Sequence, residues 1–123
     1  MNAHVDPHPY LKKLDRVLDR MGGLYTAADI LERVNLGSMQ MFAEGDTIAV
    51  TQISIYPRQR VLDVIAIVGN VEDARVLHDR ITEFAERVGV SVIQAYGRKG
   101  WFGDSKRRGW KVKASSFVYQ KDM

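Results

Sequence analysis

One segment restricts the fold of this chain more than any other: residues 61–96, which read VLDVIAIVGNVEDARVLHDRITEFAERVGVSVIQAY. Residues 61–68 are almost continuously apolar, which is typical of a central strand covered on both faces. Residues 72–88 place apolar side chains at helical spacing, and residues 90–96 form a second apolar run that predicts a buried strand. A strand, a helix and a strand within so short a length form a βαβ unit. We therefore expect the two strands to be adjacent and parallel, with a right-handed crossover.

The residues before this unit predict two helices. The first has an apolar stripe at positions 10, 11, 14, 17, 18 and 21. A capping box formed by Thr26 and Asp29 predicts the start of the second helix, which we expect to end at Gly37.

Strands are predicted between these helices and the βαβ unit, and again at the end of the chain. Residues 39–43 and 47–55 are predicted to form a hairpin. The apolar phase within the second of these strands switches between Val50 and Ile53, which predicts a β-bulge there. Residues 111–120 alternate as a last strand. The sequence therefore predicts a mixed α/β protein, in which an antiparallel meander feeds a parallel strand pair.

Length and composition restrict the class of protein. A chain of 123 residues, 46% of them apolar, can bury one core but not two, so we expect a single domain with a flexible stretch at residues 1–9. Without cysteine, neither a disulfide framework nor a thiolate metal site is available. No apolar run resembles a signal peptide or approaches the roughly 20 residues of a membrane span. We therefore expect a protein that is neither secreted nor membrane-bound.

Charge is distributed unevenly along the chain. Residues 1–89 carry 10 Lys and Arg against 13 Asp and Glu, whereas residues 90–123 carry 8 against 2. A basic end on an acidic body can bind an anion, which could be phosphate, nucleic acid or an acidic protein surface, although a solvated basic surface is an alternative. The candidate partner-binding residues are Arg58, Arg60, Arg98, Trp101, Lys106, Arg107 and Arg108.

The order of these elements resembles that of the GNAT acyltransferase superfamily over residues 25–120. In that family a central strand delivers an acyl-CoA loop to a long helix, and the next strand splays away to form the acceptor cleft. Gly109-Trp110 stands where the family has Gly followed by Phe or Tyr, with Arg107 two residues before the glycine. The run Gly97-Arg98-x-Gly100-Trp101 is similar to small GNAT-like proteins of tailed bacteriophages, encoded near head and tail genes. The resemblance implies a GNAT-like fold.

The same resemblance implies a degenerate acyl-CoA site. The family's loop, Gln/Arg-x-x-Gly-x-Gly/Ala, falls on residues 68–73, where neither of its glycines is retained. Glu72 and Asp73 would place negative charge where a pyrophosphate rests on helix N–H groups. Ser105 occupies the position of the family's tyrosine general acid, and a serine hydroxyl is a much weaker acid. The degenerate loop positions are Gly69, Asn70, Val71, Glu72 and Asp73.

The remaining polar candidates are weaker. His4 and His8 are four residues apart and could bind a metal together only on a helix, which Pro7 and Pro9 prevent. His78 lies on the long helix without a second imidazole or cysteine at metal-site spacing, so we expect no metal. Gln52 and Ser54, near the predicted bulge, would line a GNAT-type acceptor cleft or else face outwards as ordinary strand residues.

From these observations we expect a non-catalytic binding or assembly module without a cofactor. It would be a virion or head–tail component in the virion or the host cytoplasm, with other virion subunits or further copies of itself as partners. The alternative is an active acetyl-CoA-dependent N-acyltransferase. A second alternative is a nucleic-acid-binding module that uses the basic, aromatic C-terminal segment.

Overall fold

The computed structural model describes residues 6–95, 109 and 120–123. A 3-10 turn, His8–Tyr10, leads into the first helix. The helices are α1 (Leu11–Arg20), α2 (Ala27–Asn35) and α3 (Val71–Arg87), and the strands are β1 (Gln40–Glu44), β2 (Thr47–Ile55), β3 (Arg60–Val68) and β4 (Val92–Ala95).

Several of the predicted features lie outside the described residues. They are His4, Arg98, Trp101, Ser105, Lys106, Arg107, Arg108, Trp110 and the last strand up to residue 119.

The four strands form one mixed sheet in the order β1-β2-β3-β4. The first three strands are antiparallel neighbours, and β3 pairs with β4 in parallel. This arrangement confirms the parallel pair predicted from residues 61–96, with α3 as the crossover. It also confirms the antiparallel meander.

Helices cover both faces of the sheet. On one face, α1 and α2 bury Leu14, Leu18 and Ile30 against β2 and β3. On the other face, α3 packs its apolar side against the sheet through Leu77 and Phe84. The near-continuous apolar sequence of β3 follows from this arrangement, because its side chains alternate between two buried layers.

The register between β2 and β3 shifts next to Val50, as predicted, but the extra residue of the bulge lies in β3 and not in β2. Val50 pairs with Ala66, whereas the next residue of β2, Thr51, pairs with Val64. Ile65 is therefore the extra residue, and it lies on β3. In β2, Ile53 packs into the same core as Ala49, so the apparent phase switch reflects burial on both faces of a regularly alternating strand.

Strand β4 is less buried than its sequence predicted. Val92 and Ile93 are half-buried, and Gln94 and Ala95 are exposed. Within the described sheet β4 pairs only with β3, and only Ile93 packs against the α3 core. Val90, the buried residue of this segment, belongs to the turn after α3.

The start of α2 shows the predicted capping box in full. The Thr26 side chain accepts a hydrogen bond from the Asp29 N–H at 3.2 Å, and the Asp29 carboxylate accepts one from the Thr26 N–H at 2.9 Å. Hydrogen bonds from the Thr26 backbone and side chain, followed by the charge of Arg33, lower the pKa of Asp29 from its ordinary value.

Candidate functional site

A row of polar side chains crosses the sheet face that α1 and α2 cover. Gln52 of β2 pairs with Asp63 of β3, which pairs with Gln94 of β4. Directly paired residues point to the same face of a sheet, so the three side chains are neighbours. Asp63 is the central member of the row.

Asp63 is a buried carboxylate held by neutral groups. The residue is 7% exposed. One carboxylate oxygen accepts a hydrogen bond from the Tyr56 hydroxyl at 3.3 Å, and the other accepts one from Gln94 Nε2 at 3.2 Å. The ion pairs of the described residues join other side chains, so no described cation neutralises Asp63. A buried carboxylate is costly unless it is paired, so this position can accept a cationic group.

Asp63 and Gln52 line a pocket of about 190 Å³ beneath the connection between α1 and α2. The other described residues of its wall are mostly apolar: Leu18, Met21, Leu24, Tyr25 and Ile65. The Gln120 side chain donates a hydrogen bond to the Gly22 carbonyl, which places this C-terminal residue beside the same connection. A narrow apolar pocket with one buried carboxylate suits the end of a small basic molecule or of an amine side chain.

The loop that the resemblance matches to the acyl-CoA site is closed by the protein's own side chains. Asn70 caps α3 by accepting a hydrogen bond from the Asp73 N–H at 2.8 Å. The Asp73 carboxylate accepts hydrogen bonds from Asn70 Nδ2 at 2.8 Å and from the Asp46 N–H at 3.3 Å. A negative charge therefore already lies at the positive end of the helix, which is the position that would favour an anion. The degeneracy of residues 69–73 as an acyl-CoA site stays a prediction.

The remaining predicted residues are dispersed. Arg58 is exposed in the turn between β2 and β3, and Arg60 is exposed at the start of β3, at the opposite end of that strand from Gly69. Gln52 reaches the pocket, but Ser54 does not belong to its described wall. His78 lies beside Asp79 on α3. Among the described residues, no three His, Cys, Asp or Glu side chains form a group that could hold a metal ion.

Sequence reasoning missed Asp63. The available signal was a single charged residue within the otherwise apolar run of residues 61–68. Such a residue is rarely buried without a purpose, because burial of its charge is costly.

No family model matches this chain, and no curated protein matches its sequence. Solved structures do resemble its fold. A transcriptional regulator from Bacillus halodurans is 13% identical with a TM-score of 0.67, and the match covers 98% of this chain and 97% of that one. A ribosomal-protein-alanine N-acetyltransferase from Brucella melitensis biovar Abortus is 14% identical with a TM-score of 0.64, covering 95% and 93%. An acetyltransferase of Trypanosoma brucei is 12% identical with a TM-score of 0.63, covering 89% and 94%.

These likenesses concern the fold. The chain has the GNAT-like mixed α/β fold that its sequence pattern predicted. The names of these proteins give no support to a bacteriophage or virion role, which stays a prediction. No helix in the described part of the chain is long and apolar enough to cross a membrane.

Proposed function

We propose that this protein transfers an acyl group to an amine, and that Asp63 holds the amine. The observation that carries the proposal is the burial of the Asp63 carboxylate in a pocket wall, with hydrogen bonds from Tyr56 and Gln94 but without a described cation. The acetyltransferases of similar fold support the reaction class.

The chemistry follows from the charge of the acceptor. An amine is largely an ammonium ion at neutral pH, and it would pair with the Asp63 carboxylate in place of a cationic side chain. To react, the ammonium nitrogen must first lose one proton, which Asp63 accepts and passes to solvent. The neutral nitrogen then attacks the acyl carbonyl carbon to form the carbon–nitrogen bond, and the tetrahedral adduct loses a second nitrogen proton to Asp63, which again passes it to solvent. The bond from the carbonyl carbon to the sulfur of a thioester donor breaks, and the thiolate takes up a proton from solvent.

The acyl donor would bind differently here than in a GNAT enzyme whose acyl-CoA loop keeps its glycines. Asp73 lies at the N-terminal end of α3, where its carboxylate accepts a hydrogen bond from the Asp46 N–H. The negatively charged pyrophosphate of acetyl-CoA would therefore be repelled by the negative charge of this carboxylate. We therefore propose that acetyl-CoA acts as a weakly bound donor.

The test compares Asp63→Asn with Asp19→Asn, a matched loss of one carboxylate charge from an exposed position on α1. Each protein is incubated with acetyl-CoA and a panel of primary amines, and both thiol release and acylated amine are measured. We expect Asp63→Asn to lower the rate by about 100-fold or more, as loss of a proton acceptor does, and Asp19→Asn to leave it unchanged. No acylated amine from the unaltered protein, or equal rates in the two variants, would contradict the proposal.

A second candidate function is a protein-binding or assembly role, and the observation that favours it is the end of the hairpin that β2 and β3 form. Ile55 is 81% exposed beside the exposed Arg58 and Arg60, which gives an apolar and basic protrusion. Protein interfaces often combine apolar and arginine side chains in this way. Sedimentation of Ile55→Ser should show loss of an assembly that the unaltered chain forms. An unaltered chain that stays monomeric and captures no acidic partner would rule this role out.

A further inference from the structure

The pocket at Asp63 has a single charged group in its described wall. The other described wall residues are apolar or neutral, and Gln52, which pairs with Asp63 across the sheet, brings an amide without a charge. One carboxylate can neutralise one ammonium group. A second ammonium group on the same ligand would lie against apolar side chains, where an unpaired charge is costly.

Other carboxylates lie near the connection between α1 and α2, but the protein uses them itself. Asp15 and Asp29 accept hydrogen bonds at 2.6 and 2.9 Å from backbone N–H groups at the start of α2, and neither belongs to the described wall. A charged side chain of α2 does contact this wall, but it is a cation: the Arg33 guanidinium carbon lies 5.4 Å from the centre of the Tyr25 ring. Arg33 would repel a second ammonium group and not neutralise it.

The size of the pocket limits the length of its ligand. Its volume, about 190 Å³, is smaller than the roughly 300–1,000 Å³ of sites for drug-sized molecules. If each water-sized group takes about 30 Å³, the pocket holds on the order of six non-hydrogen atoms. An unbranched primary amine with about five carbon atoms has this size.

The rim of the pocket favours a free amine over a lysine side chain of another protein. Leu24 belongs to the wall and is 74% exposed, so the apolar wall reaches the surface there. Next to it, the chain's own Gln120 donates a hydrogen bond to the Gly22 carbonyl at 3.2 Å. A Cβ on Gly22 would lie 2.5 Å from Gln120 Nε2, so these two residues are in close contact. A lysine would have to bring its backbone to this occupied rim, whereas a short free amine ends inside the pocket.

We propose that the pocket at Asp63 selects a primary monoamine with a short apolar body and excludes diamines and polyamines. This selection rests on the proposed function, because it takes Asp63 as the group that holds the amine. The ammonium group lies against Asp63, and the carbon chain packs against the apolar wall, where burial of each CH₂ group stabilises the complex. A diamine of the same length makes the same contacts but leaves its second ammonium group without a partner.

The decisive experiment compares pentylamine with cadaverine, the diamine that has the same five-carbon chain. Each amine is titrated into the full chain in low salt at neutral pH, where both are protonated, and binding is followed by NMR. We expect pentylamine to bind at least about tenfold more tightly than cadaverine, and to bind at least about tenfold more weakly to Asp63→Asn.

Four results would overturn the proposal. They are no binding of pentylamine up to about 10 mM, binding of cadaverine that is as tight or tighter, unchanged affinity in a folded Asp63→Asn, and tighter binding of a lysine that is capped at both backbone ends. The last result would point to a protein as the substrate.

Two leucine variants test whether the pocket rim sets the preference. Leu24→Glu adds a carboxylate at the rim, and Leu36→Glu adds one at a leucine that is 75% exposed and lies outside the described wall. We expect Leu24→Glu to reduce the preference for pentylamine over cadaverine by about threefold, as an exposed ion pair with the second ammonium group does, and Leu36→Glu to leave it unchanged. Equal effects of the two variants would show that net charge sets the preference, which would contradict selection by the pocket. Circular dichroism checks that every variant is folded.

Failure of this selection and failure of the proposed function give different results. Selective binding of pentylamine that depends on Asp63, without acylation in the presence of acetyl-CoA, would contradict acyl transfer and leave the monoamine site in place. Acylation of cadaverine at the same rate as pentylamine would leave acyl transfer in place and overturn the selection of monoamines.

Discussion

Replacing Gly69 with alanine tests whether the loop before α3 is held against the sheet as the structure shows. Gly69 has φ +143°, a backbone conformation that is essentially restricted to glycine. A Cβ added there would lie 2.6 Å from the Thr47 Cα, which is backbone and cannot rotate away. The loop would have to move, and with it the hydrogen bond from the Asn70 N–H to Thr47 Oγ1 at 3.0 Å.

The size of the effect follows from two contributions. An unfavourable φ costs about 1–3 kcal/mol, and a steric overlap in a packed region costs about 1–3 kcal/mol more. We therefore expect Gly69→Ala to lower the free energy of unfolding by about 4 kcal/mol and the midpoint of thermal unfolding by roughly 15 °C.

Gly89→Ala is the matched control. Gly89 also has a positive φ, +76°, but a Cβ there would meet nothing within 4 Å. Gly89→Ala should therefore lower the free energy of unfolding only through the unfavourable backbone conformation, by about 1 kcal/mol. Urea denaturation of both variants, followed by circular dichroism, gives the difference directly. If Gly69→Ala is no more destabilising than Gly89→Ala, the close approach of the loop to Thr47 is refuted.

Three further predictions concern the donor loop, a helix cap and the core. Acetyl-CoA should bind with a dissociation constant of about 1 mM or higher, which corresponds to a binding free energy near −4 kcal/mol, because the Asp73 carboxylate lies at the N-terminal end of α3. A micromolar dissociation constant measured by calorimetry would show that the degenerate-loop interpretation is wrong. Asp29→Asn should destabilise the protein at neutral pH, and the deficit should shrink below about pH 4, because the lowered pKa of Asp29 stabilises the fold only while the carboxylate is charged. A deficit in urea denaturation that is the same at pH 7 and pH 3 would contradict that cause. Leu77→Ala should cost about 2–5 kcal/mol in the same assay, since Leu77 is fully buried between α3 and the sheet, and a loss below about 1 kcal/mol would contradict that packing.

The fold was accessible from the sequence because its signals are local. The Thr26–Asp29 capping box fixes the start of α2 through two hydrogen bonds between residues three apart. The apolar run of β3 and the periodicity of α3 are similarly local, and together they predicted the parallel pair of β3 with β4.

The candidate site was predictable only in part. Gln52 was named as a residue that could line a cleft, and it does line the pocket. The partner of Gln52, Asp63, was not recognised, because its significance depends on the register of three strands and on the covering helix α1. A second cavity, which Arg16 of α1 and Gly69 line together, was not predicted for the same reason, since these two residues are far apart in sequence.

The sequence by itself determined which of the described segments are helices and strands, where α2 begins, and that β3 is buried on both faces, since spacing and capping act over a few residues. Tertiary structure decided which strand carries the bulge, because an extra residue exists only relative to a paired neighbour: Ile65 has no partner opposite Val50 and Thr51. It also decided what each charge faces. Asp63 is buried, and Lys13, Arg16 and Arg20 line one cavity, because segments that are distant in sequence pack together. Local sequence patterns do not show which distant segments will pack against each other.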